Sequence, residues 1–222
     1  MIETLDQILL SKNPVDEFYK FFNQEDFKSW LLDILPEVEA CKKLKQDNPW
    51  HIYNCLDHIL HSVEEINKLS SALPQQVRRQ LAYTMFLHDI GKPACYIRRY
   101  SKLYRREVDS FFNHNLESKK IASRVLSKFG FSTKEEAEIK MLIEMHDIFM
   151  FIRLEDDGNK FHHVLTQEYL NSEISKLDKI GDGKLLMKHL VMVGIADNKA
   201  QNPQMTKDSL HLLDVINDMM SK

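Results

Sequence analysis

Residues 53–69, YNCLDHILHSVEEINKL, decide the fold class of this chain. The apolar side chains of this segment recur every three or four residues: Leu56, Ile59, Leu60, Val63 and Ile66. This spacing places them on one face of an α-helix. No run in the chain alternates convincingly with the period of two that marks a half-buried strand. The segment therefore predicts an amphipathic helix in a fold built from helices.

Helical spacing continues on both sides of this segment. Before it, residues 18–22 and 30–34 carry apolar pairs at intervals of three and four, and Pro36 ends the second pattern. After it, further helices are predicted from Pro74 to near Gly91, over 115–129 with Gly130 as the stop, from Ser132 or Thr133 to about His146, and over about 161–177, 184–199 and 207–220. The basic and aromatic stretch 96–106 has no clear period, and we expect a loop or short turns there. The prediction is one all-α domain over residues 36–222 with a small helical N-terminal extension over residues 1–35.

Composition supports a helical fold and excludes several other classes. The chain has six glycines and six prolines in 222 residues, against usual frequencies of roughly 7% and 5%. So few turn residues argue against a many-stranded sandwich, a barrel or a glycine-rich nucleotide-binding fold. The formal net charge is -3, so no global positive field attracts nucleic acid, and we expect no strong nucleic-acid binding.

Cysteine usage and the N-terminus predict a cytoplasmic protein. Cys41, Cys55 and Cys95 are an odd number without metal-type pairing, which indicates reduced thiols. The first eleven residues contain Glu3 and Asp6 and lack the basic start and apolar run of a signal peptide. No segment approaches the roughly 18 uninterrupted apolar residues of a membrane helix, so no membrane partner is expected.

Histidines and aspartates at helix ends and on helix faces are the candidate functional residues. The pair His88-Asp89 follows an apolar helical pattern, where adjacent buried imidazole and carboxylate groups are costly unless a charge balances them. A divalent metal ion would supply that charge. The other candidates are His58 on the flank of the apolar stripe, His114 before a helix, His146 near the end of another, and Asp197 on an apolar helical face.

Each candidate taken alone also has a structural interpretation. A single histidine on a half-apolar helix is more often a hydrogen-bonded core residue than a ligand. Asp197 can cap its helix or pair with Lys199. In a chain with ten histidines a His-Asp pair arises by chance, and His146-Asp147 is a second example.

The ordered set resembles the HD superfamily of metal-dependent phosphohydrolases. Longer phrases are similar to the HD domain of bacterial tRNA nucleotidyltransferases: LDHILHSV at His58, FLHDIGKP at His88, FFNHNLESKKIASRVLSKFGF at His114, LIEMH at His146 and GIADNKA at Asp197. The similarity runs from about residue 30 to residue 200. The nucleotidyltransferase head has no counterpart, so tRNA end synthesis is not implied. Asn113-His114-Asn115 stands where related families often carry Gly-His-Glu, and the Gly-Tyr-Pro phrase of cyclic-dinucleotide phosphodiesterases is absent from the sequence.

The resemblance implies a dinuclear metal site. His58, His88, Asp89 and Asp197 would bind one ion, and Asp89 would bridge to a second ion held by His114 and His146. Two cations roughly 3.5–4 Å apart can hold a hydroxide that attacks phosphorus in line, and can stabilise the leaving oxygen. Mixed imidazole and carboxylate ligands suit Mn, Fe, Co, Ni, Zn or Mg, and the ligand set does not choose between them.

Two residues are assigned catalytic roles on this interpretation. Asp89 would orient the hydroxide, and Lys92 would contact a phosphate oxygen as a point charge. The alternative for Lys92 is a solvated lysine that complements a helix end. The basic residues of the stretch 96–106 would either screen an anionic substrate or form a solvated face; they are Arg98, Arg99, Lys102, Arg105 and Arg106.

The remaining histidines receive no firm functional role. His51 is expected in a loop, with a position near the site as the alternative. His61 is either a partner of the ligands or a solvent-facing residue, and His162-His163 is expected at the surface.

The leading functional hypothesis is hydrolysis of a small phosphorylated substrate, a phosphomonoester or phosphodiester, with nucleotides among the candidates. One alternative is an HD-type mixed-valent diiron oxygenase, because these enzymes use the same ligand order. Another is a non-catalytic helical module that keeps its metal for structure. The substrate, the metal and the oligomeric state stay open at this point.

Overall fold

The computed structural model describes residues 1–221, and it is mostly helical, with 64% helix and 6% strand. The eleven α-helices of these residues are α1 (Ile2–Leu9), α2 (Pro14–Phe22), α3 (Glu25–Ile34), α4 (Glu37–Lys43), α5 (Cys55–Leu69), α6 (Gln75–Leu87), α7 (His114–Val125), α8 (Thr133–Met145), α9 (Gln167–Leu177), α10 (Gly183–Lys199) and α11 (Lys207–Met220). The predicted all-α fold is confirmed. Among residues 1–221, no helix combines the length and the apolar character needed to cross a membrane.

Local sequence signals account for several helix ends. Ser132 caps α8 in a capping box: its side chain accepts a hydrogen bond from the backbone N–H of Glu135, and the Glu135 carboxylate accepts one from the backbone N–H of Ser132. Asn54 caps α5 by accepting a hydrogen bond from the backbone N–H of Asp57. Gly130 adopts a left-handed conformation (φ 79°) and ends the helical segment that contains α7. These ends are therefore determined by residues within one turn of each terminus.

The core is formed by helices that pack around α5 and α10. Helix α5 lies against α6 and α10, and α8 contacts α6, α7 and α10. Leu56, Phe86 and Leu190 are fully buried among these helices. Burying one such side chain stabilises the fold by about 1.5–3 kcal/mol. The same packing brings the C-terminal ends of α6, α8 and α10 close to the N-terminal part of α5.

Helices α1 to α3 occupy the region predicted as an N-terminal extension. Their buried side chains, such as Phe18 and Phe22, join the same hydrophobic core as the rest of the chain. Asp6 accepts hydrogen bonds from Tyr83 Oη (2.7 Å) and Arg79 Nε (2.9 Å) of α6. The first 35 residues therefore pack directly on α6, and the domain boundary at residue 35 stays a prediction.

The stretch expected to be a loop forms a β-hairpin instead. Strand β1 (Ile97–Ser101) pairs antiparallel with β2 (Arg106–Ser110), with Ile97 opposite Ser110. Four of the five residues of β1 are exposed, so the alternation that would reveal a half-buried strand does not exist. Ion pairs across the hairpin stabilise it instead: Arg98 contacts Asp109 at 2.8 Å and Glu107 at 3.3 Å.

The helix predicted over 161–177 begins later than expected. Strands β3 (Ile152–Arg153) and β4 (His163–Val164) form a short parallel pair, and α9 begins only at Gln167. Thr166 caps α9 by accepting a hydrogen bond from the backbone N–H of Tyr169. The cap sets the start of this helix, and apolar spacing alone placed it too early.

Candidate metal centre

All six predicted ligands meet at one place inside the helical bundle. His58 lies in the first turns of α5, His88 is the C-terminal cap of α6, and His146 is the C-terminal cap of α8. The other three are Asp89 directly after His88, His114 at the first position of α7, and Asp197 near the end of α10. Residues separated by up to 139 positions therefore form one cluster.

One group comprises His58, His88, Asp89 and Asp197. His58 Nε2 lies 3.0 Å from Asp89 Oδ2 and 3.0 Å from Asp197 Oδ1. His88 Nε2 lies 3.3 Å and 3.5 Å from the same two oxygens. Ligand atoms that each lie about 2.0–2.2 Å from one ion are roughly 3–4 Å from each other. The spacing therefore fits a single ion.

A second group comprises Asp89, His114 and His146. His114 Nε2 lies 3.0 Å from Asp89 Oδ1 and 3.2 Å from His146 Nε2, and His146 Nε2 lies 3.7 Å from the same oxygen of Asp89. The two carboxylate oxygens of Asp89 thus face different groups. This arrangement suits a carboxylate that bridges two ions.

The four clustered imidazoles are held in one tautomer. The Nδ1 atoms of His88, His114 and His146 face the backbone carbonyl three residues earlier, at 2.6, 2.8 and 2.7 Å. His58 Nδ1 faces the carbonyl of Ala200 at 3.2 Å. A carbonyl only accepts, so each Nδ1 carries the proton and each Nε2 is left to face the cluster. Metal-binding histidines are oriented in this way.

Buried polar atoms at the centre of the cluster lack hydrogen bonds. Among the described residues, His58 Nε2, His88 Nε2 and Asp89 Oδ1 are buried without a hydrogen-bond partner, and Asp89 Oδ2 lies beside the ammonium of Lys92. Leaving buried polar groups unsatisfied is costly. Cations held between these atoms would satisfy them. The donor set of imidazole nitrogens and carboxylate oxygens therefore fits divalent metal ions.

The charges of the cluster are strongly coupled. Burial alone would lower the pKa of His88, but the carboxylates of Asp89 and Asp197 outweigh it and raise this pKa to about 10. Burial would raise the pKa of Asp89, yet the positive charges of His88 and Lys92 hold it well below its usual range. Without an ion, protons on imidazoles therefore balance the buried carboxylates, and an ion would displace them.

Lys92 is buried beside the cluster and is not a solvated lysine. Its side chain is 5% exposed, and its Nζ lies 2.5 Å from Asp89 Oδ2. The same Nζ lies 2.9 Å from Gln46 Oε1 and 3.1 Å from His51 Nε2. An ammonium group has three donors, and three acceptors surround this one. Lys92 is therefore held against Asp89 by two residues of the loop between α4 and α5.

His51 contacts Lys92 and is not one of the candidate metal ligands. Its Nδ1 lies 2.8 Å from Asn48 Oδ1, so Nε2 is free to accept from Lys92. Burial and the charges of Lys92 and His58 hold the pKa of His51 well below its usual range, which keeps the ring neutral. His51 therefore lies in a loop, as expected from the sequence, and it also lies next to the ligand cluster.

The basic residues of the hairpin are partly engaged in ion pairs. Arg98 and Arg106 contact the carboxylate of Asp47 at 2.9 and 2.7 Å. The guanidinium of Arg99 lies 4.9 Å from the centre of the Phe112 ring. Part of the positive charge of this stretch, for which substrate screening and a solvated face were both open, is therefore balanced within the protein.

Several residues around the cluster escaped the sequence interpretation. Gln201 Nε2 donates to both oxygens of Asp197 at 3.1 Å. Asn115 donates from Nδ2 to the carbonyl of Glu144 at 2.7 Å and so ties the start of α7 to the end of α8. Asp147 contacts both His114 and His146. Only Asp147 had a sequence signal, the second His-Asp pair.

The other histidines and the cysteines take structural positions. His61 stacks on Tyr53 (4.3 Å between ring centres) and contacts Glu64, and His162 bonds Asp157 outside the cluster. The thiols are free, as expected. Two of them support the turn that carries the ligands, because Cys41 Sγ donates to the carbonyl of Ile90 and Cys55 Sγ to that of Asp89.

Comparisons with known proteins add no family assignment. A comparison with known protein families finds none that matches the chain. A comparison with curated proteins finds no significant match. The geometry shows a buried group of histidines and aspartates that could hold metal ions.

Proposed function

We propose that this chain is an HD-type metal-dependent phosphohydrolase with two divalent ions. One observation carries the proposal: four imidazoles with the same protonated Nδ1 direct Nε2 toward a carboxylate, Asp89, that faces two groups of ligands. His58, His88 and Asp197 would hold one ion with Asp89. His114 and His146 would hold the other with the same carboxylate.

Paired ions suit phosphate chemistry better than a structural role. When bound, two divalent ions supply Lewis acidity to a phosphate oxygen and lower the pKa of a water. Structural metal sites are usually closed by their protein ligands. Here the side chains of His114 and Asp197 are 12% and 13% exposed, whereas those of His58 and His88 are fully buried. A substrate group would therefore enter from the side of His114 and Asp197.

Lys92 and Asp89 supply the polar groups beside the reacting phosphate. The ammonium of Lys92 is held in the interior against Asp89. With Asp89 engaged in holding the ions, Lys92 would have one ammonium donor available for a phosphate oxygen. Asp89 would orient a water molecule by accepting a hydrogen bond from it.

The test is phosphate release by the purified protein loaded separately with Mn, Fe, Co, Ni, Zn or Mg. Substrates are p-nitrophenyl phosphate, bis-p-nitrophenyl phosphate and a panel of nucleoside mono-, di- and triphosphates. We expect a chelator to abolish release and one transition metal to restore it. Asp197→Asn removes a ligand and should abolish release, whereas Asp214→Asn changes an exposed carboxylate of α11 and should leave it unchanged.

Two outcomes would contradict the proposal. One is a fully metallated protein that leaves the whole ester panel intact. The other is release that persists in Asp197→Asn at the wild-type rate, because contaminating phosphatase would then explain the activity. Oxygen consumption by an iron-loaded sample offered polyols and phosphonates would instead favour the diiron oxygenase alternative.

A further inference from the structure

The segment after α8 repeats the local geometry of the segment after α6. His88 and His146 are the C-terminal caps of these helices, and each Nδ1 faces the carbonyl three residues earlier, at 2.6 and 2.7 Å. Each histidine is followed by an aspartate, Asp89 and Asp147. The chain thus presents two His-Asp pairs in the same setting, one in each ligand group.

The carboxylate of Asp147 lies against the second group. Its Oδ2 is 3.3 Å from His114 Nε2, and its Oδ1 is 3.4 Å from His146 Nε2. Both distances lie within the range between Asp89 or Asp197 and the imidazoles of the first group, 3.0–3.5 Å, but Asp147 faces each imidazole with a different oxygen. The distances fall in the range of roughly 3–4 Å expected between ligands of one ion.

The partners of Asp147 leave a position for a cation. Among residues 1–221, the cationic groups within 4.0 Å of this carboxylate are the imidazoles of His114 and His146. Both rings direct Nδ1 to a backbone carbonyl, so each Nε2 faces a carboxylate oxygen of Asp147. A nitrogen and an oxygen at these distances need a positive charge between them, either a proton or a metal ion.

We infer that Asp147 is a ligand of the second metal ion, beside His114, His146 and the bridging Asp89. Each ion would then have two imidazoles and two carboxylates, with Asp89 shared between them. Three carboxylates would offset three of the four positive charges of two divalent ions. The site would keep a small positive charge, which suits a phosphate without binding it too tightly. This inference rests on the proposed dinuclear site.

Metal binding without substrate tests the inference. Wild type, Asp147→Asn, Asp147→Glu and the control Asp214→Asn are stripped with a chelator and titrated with Mn²⁺ alone and Zn²⁺ alone. Bound ions are counted by elemental analysis, and spin coupling between paired Mn²⁺ ions is followed by electron paramagnetic resonance. Circular dichroism confirms the fold; Asn is nearly isosteric, and the side chain of Asp147 is 22% exposed.

We expect wild type and Asp214→Asn to bind two ions. Asp147→Asn should keep the first ion and bind the second about 10-fold to 100-fold more weakly, the size of effect seen when groups around a metal are removed. The coupled Mn²⁺ signal should disappear in Asp147→Asn and return in part in Asp147→Glu, which keeps a carboxylate.

Either of two results overturns the inference: Asp147→Asn binds the second ion as tightly as wild type, or wild type binds only one ion at saturation. The proposed hydrolysis fails independently. If both ions bind, Asp147→Asn loses the second, and no phosphate ester is cleaved, Asp147 remains a ligand and the activity is not phosphate hydrolysis.

Discussion

Lys92 and Asp89 form an ion pair in the interior of the protein: Lys92 Nζ lies 2.5 Å from Asp89 Oδ2, and the two side chains are 5% and 2% exposed. Asp89 is also the carboxylate shared by both ligand groups. A cation supplied by the chain itself therefore neutralises the most deeply buried acid of the site. Divalent ions would take over this role when they bind.

Lys92→Met should destabilise the metal-free protein strongly, because it leaves the buried Asp89 without its fixed counter-charge. Removing one partner of a buried ion pair costs about 3–5 kcal/mol of unfolding free energy. The loss should be much smaller once ions neutralise Asp89. Urea unfolding with and without metal measures both values.

Lys68→Met is the matched control for this substitution. Lys68 is 56% exposed and pairs with Glu64 and Glu65 on the surface of α5, where an ion pair contributes about 1 kcal/mol or less. Equal stability of metal-free Lys92→Met and wild type would contradict the role given to Lys92.

His51→Ala should separate a positioning role from a ligand role. His51 Nε2 faces Lys92 Nζ at 3.1 Å, so the variant should keep its full metal content. The rate of phosphate release should fall about 10-fold or more, because Lys92 loses one of the hydrogen-bond partners that hold its ammonium in place. His58→Ala removes a ligand and should lose an ion. Loss of metal from His51→Ala, measured by elemental analysis, would show that His51 belongs to the ligand set.

The metal-free protein should become less stable between about pH 6.5 and pH 10. The pKa of His88 is about 10 in the folded protein and about 6.5 in an unfolded chain. In this window the folded state binds more protons, so the free energy of unfolding falls as the pH rises. The stabilisation is fully present below about pH 6.5.

Bound metal should reverse this trend, because ions compete with the same protons. Adding Zn²⁺ should therefore raise the melting temperature more at pH 8.5 than at pH 6. Thermal melts of chelated and metallated samples at several pH values check both statements. A metal-free melting temperature that rises from pH 7 to pH 9 would contradict them.

Gly91→Ala should disturb the contact between the two ligand-bearing segments. A Cβ at Gly91 would lie 2.6 Å from the backbone nitrogen of Ser118 and 2.8 Å from the carbonyl oxygen of His114. Both neighbours are backbone atoms of α7 and cannot yield alone, so the segments must separate. Overpacking of this kind costs about 1–3 kcal/mol, and binding of the second ion should weaken with it.

Gly181→Ala provides the comparison. There a Cβ would meet the end of the flexible Glu138 side chain at 3.2 Å and Leu186 at 3.5 Å, so little change in stability is expected. Urea unfolding and metal titration of both variants measure the difference. If Gly91→Ala changes stability and metal binding as little as Gly181→Ala does, the close approach of Gly91 to α7 is not needed for the metal site.

Sequence periodicity and capping residues predicted most helices, because these signals act within a few residues. Helix α11 (Lys207–Met220) has the predicted bounds, and Ser132 caps α8 as expected. The hairpin β1–β2 escaped prediction because its stability comes from Arg98 reaching Asp47, 51 positions away, and Asp109. Contacts at such separations have no local signature.

The ligand candidates could be listed from the sequence because histidine and aspartate at helix ends are unusual and their order resembles that of one metal-dependent superfamily. Asp147 has the same dipeptide signal as Asp89, but adjacency along the chain does not say which way a carboxylate points. His51 and Gln46 carried no signal for their contact with Lys92. Their roles depend on side-chain direction across the bundle.

Sequence alone was enough to show that this chain is helical, where several of its helices begin or end, and which histidines and aspartates stand near those ends. Helix formation is governed by neighbours within about four residues. Only the tertiary structure decided that His58 and Asp197 meet at 3.0 Å, that Asp89 faces both ligand groups, and that Lys92 turns inward. These relationships arise from the packing of separate helices, where burial makes each charge depend on partners that lie far away in the chain.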